Sequence, residues 1–214
     1  MAQALHVQKH EIQTRLHTLG VTEEQLRDAA SQGVAARRRC TAFHPPSSPG
    51  FYQWSEIHVA LRQTLVPLNW RHSDVGGFST VVSPDGSIAI SVATGSDRTG
   101  KPGLPDPTTK YPRGAMTHAA VEINQQTTFD LHTGETILPD TPSRKLVTWW
   151  LLVATRHDEV RLELSCPTSI GDDGRIDSWS ERILLDPLGI EPTLPMLPDD
   201  EPDPTPIDVH VERL

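Results

Sequence analysis

The sequence predicts an α+β fold, with N-terminal helices packed on or beside a mainly antiparallel β-sheet and a Pro-rich acidic C-terminal arm. Three observations carry this expectation. Apolar residues recur at helical spacing through roughly the first 66 positions, from Ile12, Leu16 and Leu19 to Ile57, Leu61 and Leu65. From Phe78 onward the period changes to short runs rich in β-branched residues, separated by turn residues. Residues 191–206 then hold six prolines and five acids with no base, a composition that can bury little apolar surface. The expected division is a helical portion at 1–66, a sheet domain at 67–190, the arm at 191–206 and a terminal edge strand at 207–214.

Each element has a local reason. Ile12, Leu16 and Leu19 make the stripe of a first helix, and Gly20 can supply its left-handed stop. Thr22 opens a second helix with Gln25 as its capping-box partner, and Leu26, Ala29, Ala30 and Val34 form the buried stripe. Arg37, Arg38 and Arg39 fall in its last turn, where cations suit the helix dipole. The breaker-rich stretch His44-Pro-Pro-Ser-Ser-Pro-Gly50 precedes a third helix bearing Trp54, Ile57, Leu61 and Leu65. Phe78-Ser-Thr-Val-Val and Ser87-Ile-Ala-Ile-Ser-Val-Ala flank a Pro84-Asp-Gly turn and read as a hairpin. Residues 94–114 read as a long irregular loop and residues 117–126 as a short helix. A second hairpin joins Lys145-Leu-Val-Thr-Trp-Trp-Leu-Leu-Val-Ala to Glu159-Val-Arg-Leu-Glu-Leu-Ser, and a further strand follows the turn at residues 171–174. Trp149 and Trp150, adjacent on one strand, should face opposite sides of the sheet.

Composition excludes several function classes. The chain has 214 residues and a formal net charge of −9, of which the arm alone supplies five negative charges. The body is therefore nearly balanced, which weakens any reading of the whole protein as a DNA mimic. The longest apolar run, residues 146–154, is strand-sized and too short for a membrane span. The N-terminus lacks the apolar run of a signal peptide. Cys40 and Cys166 form no CxxC motif, so neither a disulfide scaffold nor a thiolate zinc site is expected, and a reducing cytoplasm is the expected compartment.

The residues with chemical potential are mostly basic. Gly95-Ser-Asp-Arg-Thr-Gly-Lys101 matches the GxxxxGK pattern, but Pro102 stands where a phosphate loop needs a hydroxyl residue, and the following Gly103-Leu-Pro-Asp-Pro cannot start a helix. The same loop carries Arg98, Lys101, Lys110 and Arg113 against Asp97 and Asp106, with four glycines. It can bring cations and amides to a phosphate or to a nucleic-acid backbone, or it can be a solvated surface loop whose charges carry little of the folding energy. Arg37, Arg38 and Arg39 are the second candidate phosphate contact, or simply a capped helix end. Leu19-Gly-Val-Thr22 resembles the turn of a helix-turn-helix, although Glu23 and Glu24 would face phosphates unfavourably. His6 and His10 at helical spacing, with His17, make no HExxH motif, since Thr14 stands where the second histidine belongs. Asp208, His210 and Glu212 share one face of the expected terminal strand. Neither group establishes a metal site, and no cofactor is called for. No nucleophile elbow, deaminase pattern or Glu-x-Lys nuclease signature occurs. Cys166 reads as a small buried hydrophobe, and Asp130, His132 and Glu135 as an isolated trio.

The stretch from Trp70 to Gly100 (WRHSDVGGFSTVVSPDGSIAISVATGSDRTG) and the following Thr109-Lys-Tyr-Pro-Arg-Gly114 resemble uncharacterised bacterial proteins carried on plasmids and other mobile elements. The likeness spans residues 43–124, with echoes in residues 149–165 and 181–185, and assigns no residue a role. It implies a bacterial or phage setting and a part in element maintenance, defence or counter-defence. The expected function is that of a non-catalytic accessory protein acting by binding a protein or nucleic-acid partner within a larger assembly. The alternatives are direct DNA or RNA binding through the basic loop, and a hydrolase or nuclease of unrecognised type.

Overall fold

A strand whose two faces are both covered is apolar along its whole length, because alternate side chains enter different cores. Residues 149–154 (Trp-Trp-Leu-Leu-Val-Ala) are such a strand. Trp149, Leu151 and Val153 enter one cluster while Trp150 and Leu152 enter another, as adjacency in a strand requires. The computed structural model describes residues 3–133, 146–156 and 159–189. In chain order these form β1 (Ala4–His6), α1 (Lys9–Thr18), α2 (Glu23–Arg38), α3 (Ser48–Leu65), β2 (Arg71–Ser73), β3 (Thr80–Val82), β4 (Ile88–Thr94), α4 (Ala115–Thr133), β5 (Val147–Thr155), β6 (Glu159–Ile170) and β7 (Ile176–Gly189). Helices and a single seven-stranded sheet make the fold α+β. The arm and residues 207–214 lie outside the described residues.

The strand order is β1-β7-β6-β5-β4-β3-β2. The sheet is mixed: β1–β7 and β4–β5 are parallel, and the other four pairings are antiparallel. The expected hairpins are present as β3–β4 and β5–β6. The central parallel pair departs from the expected antiparallel pattern. After β4 the chain runs through residues 95–114 and then α4 before entering β5, and a crossover of that kind returns the chain to the end at which β4 began. At the far edge, His6 closes β1, which pairs along β7 at Ala4↔Glu181. His6 therefore belongs to a strand and not to the first helix, and its Nε2 lies 2.8 Å from Glu181 Oε1. Arg15 of α1 donates to both oxygens of the same carboxylate.

Helices α1, α2 and α3 cover one face. The capping box forms as expected: Thr22 Oγ1 accepts from the Gln25 amide, and Gln25 Oε1 from the Thr22 amide. At Gly33 a Cβ would stand 2.3 Å from the Ile57 side chain and 2.6 Å from the Gln53 carbonyl, so α2 and α3 approach closely because that position has no side chain. On the other face lie α4 and the irregular segment. α4 starts at Ala115, earlier than the expected Thr117, because the Gly114 carbonyl already accepts from the amides of Thr117 and His118.

Asn124 docks α4 on the sheet and is fully buried. Regular β5–β6 pairing starts at Trp150↔Ser165, and β6 shifts register at Cys166 and Pro167. Pro167 has no amide proton to offer there. Asn124 takes its place: Oδ1 accepts from the Thr148 amide, while Nδ2 donates to the Thr148 and Pro167 carbonyls. Replacing Asn124 with Ala leaves these backbone groups unpaired in a dry interior and should cost about 3 kcal/mol in urea unfolding.

His58 of α3 is also buried, neither ring nitrogen has a hydrogen-bond partner, and Trp54 stacks edge-on at 4.9 Å. Burial first, then the charge of Arg62, brings its pKa down to about 4 from 6.5, against a smaller upward pull from Asp74. The folded state thus accommodates only the neutral ring. Stability is complete above pH 6.5 and falls as pH drops toward 4, because the unfolded chain takes up the proton first. At about 1.4 kcal/mol per unit, the loss should reach about 3 kcal/mol. In unfolding measured against pH, His58→Leu should lack this component.

Candidate anion-binding site

The irregular segment between β4 and α4 is anchored by charges placed where sheet side chains should be apolar. Glu163 of β6 and Arg182 of β7 are both fully buried on the face opposite α1–α3. A desolvated ion pair persists only when most of its donors and acceptors are used. Here Arg182 Nη2 and Nε bond Glu163 Oε2 and Oε1 at 2.7 and 3.1 Å. Two of its three remaining hydrogens reach Asp106 Oδ1 and the Lys101 carbonyl, both at 3.0 Å. Glu163 further accepts from the Gly100 amide and the Ser165 hydroxyl, each at 2.8 Å. Trp179 adds a bond from its indole nitrogen to the Pro107 carbonyl. The segment is therefore clamped to β6 and β7 along its length.

This geometry decides the GxxxxGK match. Gly100 has φ +69°, and a Cβ there would lie 2.9 Å from Arg161 Cβ and 3.3 Å from the Leu162 backbone. Its amide is already bonded to Glu163, so both features that suggested a phosphate loop are used in packing the segment on β6.

The far end of the segment joins β4 through a Gly95↔Thr109 bridge and a bond from the Lys110 amide to the Thr94 carbonyl. A cleft of about 190 Å³ opens here, at the carboxyl ends of the parallel pair β4 and β5. In open α/β sheets the corresponding crevice is where ligands bind. Four cations line it, from four separate parts of the chain: Arg37 at the end of α2, Lys110 on the segment, Arg156 after β5 and Arg175 just before β7. Among the described residues lining it, Asp97 is the single carboxylate, and it pairs with Arg156. Arg175 Nη1 lies 3.8 Å from Asp173 Oδ2, while its Nε is sealed from solvent without a partner. The floor is polar, with Thr155 Oγ1 donating to Gln53 Oε1 at 3.1 Å.

The seven basic residues singled out by sequence are thus divided. Arg37 and Lys110 come together in the cleft. Arg113 lines a neighbouring pocket. Arg98 turns inward and donates to the carbonyls of Pro102, Gly103, Leu104 and Pro105, so it braces its own segment. Lys101 contributes its carbonyl to Arg182. Arg38 and Arg39 are exposed at the end of α2, outside the cleft lining. Arg156 and Arg175 carry no signal in the sequence because each sits beside a turn, and only the strand order brings those turns to one edge.

The remaining candidates are dispersed. His10 and His17 are exposed on α1 while His6 is held by Glu181, and no group of three or more His, Cys, Asp or Glu among the described residues could hold a metal ion. Asp208, His210, Glu212 and Glu135 lie outside the described residues. Burial pushes the Cys166 thiol up to about 11, which keeps it protonated at neutral pH. No helix among the described residues is long and apolar enough to cross a membrane.

Arg182→Ala would leave Glu163 buried without its counter-ion and should cost about 3–5 kcal/mol. Limited proteolysis should then cut within residues 95–108 of the variant under conditions that spare the wild type.

Comparison of the chain with protein-family models, with curated proteins and with solved structures finds no match.

Proposed function

We propose that this is a non-catalytic binding protein whose cleft receives the phosphates of a polyanionic partner, with nucleic acid the favoured class. The carrying observation is the convergence of Arg37, Lys110, Arg156 and Arg175 at the ends of β4 and β5. Cations gathered at one place raise the local potential even on a protein with net negative charge. Guanidinium groups suit phosphate oxygens because their planar fork can bond two at once. Among the described residues lining the cleft there is no carboxylate pair and no nucleophile beside a base, which favours binding over catalysis. The setting implied by the resemblance, a bacterial or phage mobile element with its defence and counter-defence systems, is compatible with such a role.

A second reading, a protein partner, is favoured by a different surface. Phe43 is 99% exposed in the α2–α3 connection, with Phe51 and Tyr52 nearby on α3 also exposed. Exposed aromatic residues are typical anchors of protein interfaces.

Fluorescence anisotropy with a labelled single-stranded oligonucleotide separates the two. At about 50 mM salt the wild type should bind, and Lys110→Ala/Arg175→Ala should bind more weakly, its salt dependence shallower by about one unit for each phosphate that no longer meets a cation. Absence of wild-type binding at that salt, or equal binding by the double variant, would remove the nucleic-acid reading.

A further inference from the structure

A second pocket, of about 380 Å³, lies beside the cleft without sharing its cations. It exists because β3 is short. β3 pairs with β4 only at Val81↔Ile90 and Val82↔Ala89, and the irregular segment rejoins the same edge at Gly95. The edge at residues 91–93 is thereby left open between the two, and the pocket sits against it, bordered by Ser91 and Val92.

The chemistry of its wall is uneven. Trp54, Phe78, Trp150 and Met116 form an apolar side, with the Phe78 and Trp150 rings 5.9 Å apart. Opposed to these in character is Arg113, whose Nε is sealed from solvent and has no hydrogen-bond partner. Among the described residues its guanidinium meets no carboxylate, and burial alone pulls its pKa down to about 10, which still leaves it charged at neutral pH. Arg113 is half-buried, so its cation is partly stripped of water without a counter-ion, and an anion entering the pocket would relieve that cost. The first turn of α4 borders the same space at Ala115 and Met116, where a helix leaves its amides unpaired and its dipole favours negative charge. An unpaired cation, a helix N-terminus and aromatic walls converge on one cavity of a size that holds small ligands.

We propose that this pocket binds a small organic anion carrying a planar ring, its carboxylate or phosphate held by Arg113 and the first turn of α4 and its ring lying against Phe78, Met116 and Trp54. The proposal does not rest on the polyanion reading, since Arg37, Lys110, Arg156 and Arg175 do not border the pocket.

Calorimetric titration of the full chain tests it with benzoate and 5′-AMP as charged probes, and with benzamide and adenosine as their neutral counterparts. At least one charged probe should bind saturably, about tenfold or more tighter than its neutral counterpart. Binding by benzoate alone identifies a carboxylate ligand, and binding by 5′-AMP alone a nucleotide. Arg113→Met should weaken the charged probe about tenfold or more and abolish the difference from the neutral one. Without ligand it should melt at or above the wild-type temperature, because it removes an uncompensated charge. Phe78→Leu should weaken the ring-bearing anion while leaving inorganic phosphate unaffected. The proposal is overturned if neither charged probe binds below about 10 mM, or if Arg113→Met binds as tightly as the wild type. A marked fall in the melting temperature of Arg113→Met, or its failure to fold together with unchanged binding by Phe78→Leu, would equally overturn it by making Arg113 a structural residue.

Discussion

The pairing of Arg182 with Glu163 is the constraint on which the arrangement of the site depends. Two full charges inside a sheet face are tolerable only where hydrogen bonds occupy most of their lone pairs and protons. The sheet itself supplies the Ser165 hydroxyl, and the rest comes from the segment between β4 and α4: the Gly100 amide, the Lys101 carbonyl and the Asp106 carboxylate. The segment cannot lift away without orphaning a buried charge. A stretch with the composition of a surface loop is thus held in one place, and Lys110 and Arg113, at its far end, inherit their positions from that clamp.

The same crossover explains why both pockets sit where they do. Passing from the end of β4 to the start of β5 makes these strands parallel and leaves their carboxyl ends adjacent. The cleft fills that position. The segment returns to the β4 edge only at Gly95, and β3 has already departed after Ile90, so a gap in the edge opens beneath Phe78 and Arg113. One topological choice produces a polar cleft at the strand ends and an aromatic pocket at the strand edge. Asn124 secures the helix that completes the crossover, supplying to the Thr148 carbonyl the donor that Pro167 lacks and accepting from the Thr148 amide.

Much of the scaffold was legible because its signals are local. The Thr22–Gln25 capping box, the apolar stripe of α3, the Pro-Asp-Gly hairpin and the opposite facing of Trp149 and Trp150 each follow from a few neighbouring residues. The spacing of Ile12 and Leu16 marked a helix, but the residues before it carried no sign that Ala4–His6 would pair with β7, a partner some 175 positions away. Likewise the Gly- and Pro-rich run after β4 reads as a loop by any local criterion, since what anchors it belongs to β6 and β7.

The sequence by itself determined the fold class, the three N-terminal helices and the capping box of α2, the two hairpins and the basic character of the segment before α4, because periodicity and turn chemistry act over a few residues. Which of the basic residues share a site was decided by tertiary structure alone. Arg37, Lys110, Arg156 and Arg175 lie far apart in the chain and meet only where the order of strands brings the end of α2, the ends of β4 and β5 and the start of β7 to one place. Arg98, no different in type, was diverted to the carbonyls of its own segment. A charge reads the same in sequence whether it faces solvent, a carbonyl or a ligand, and only the packing of distant elements settles which of these it meets.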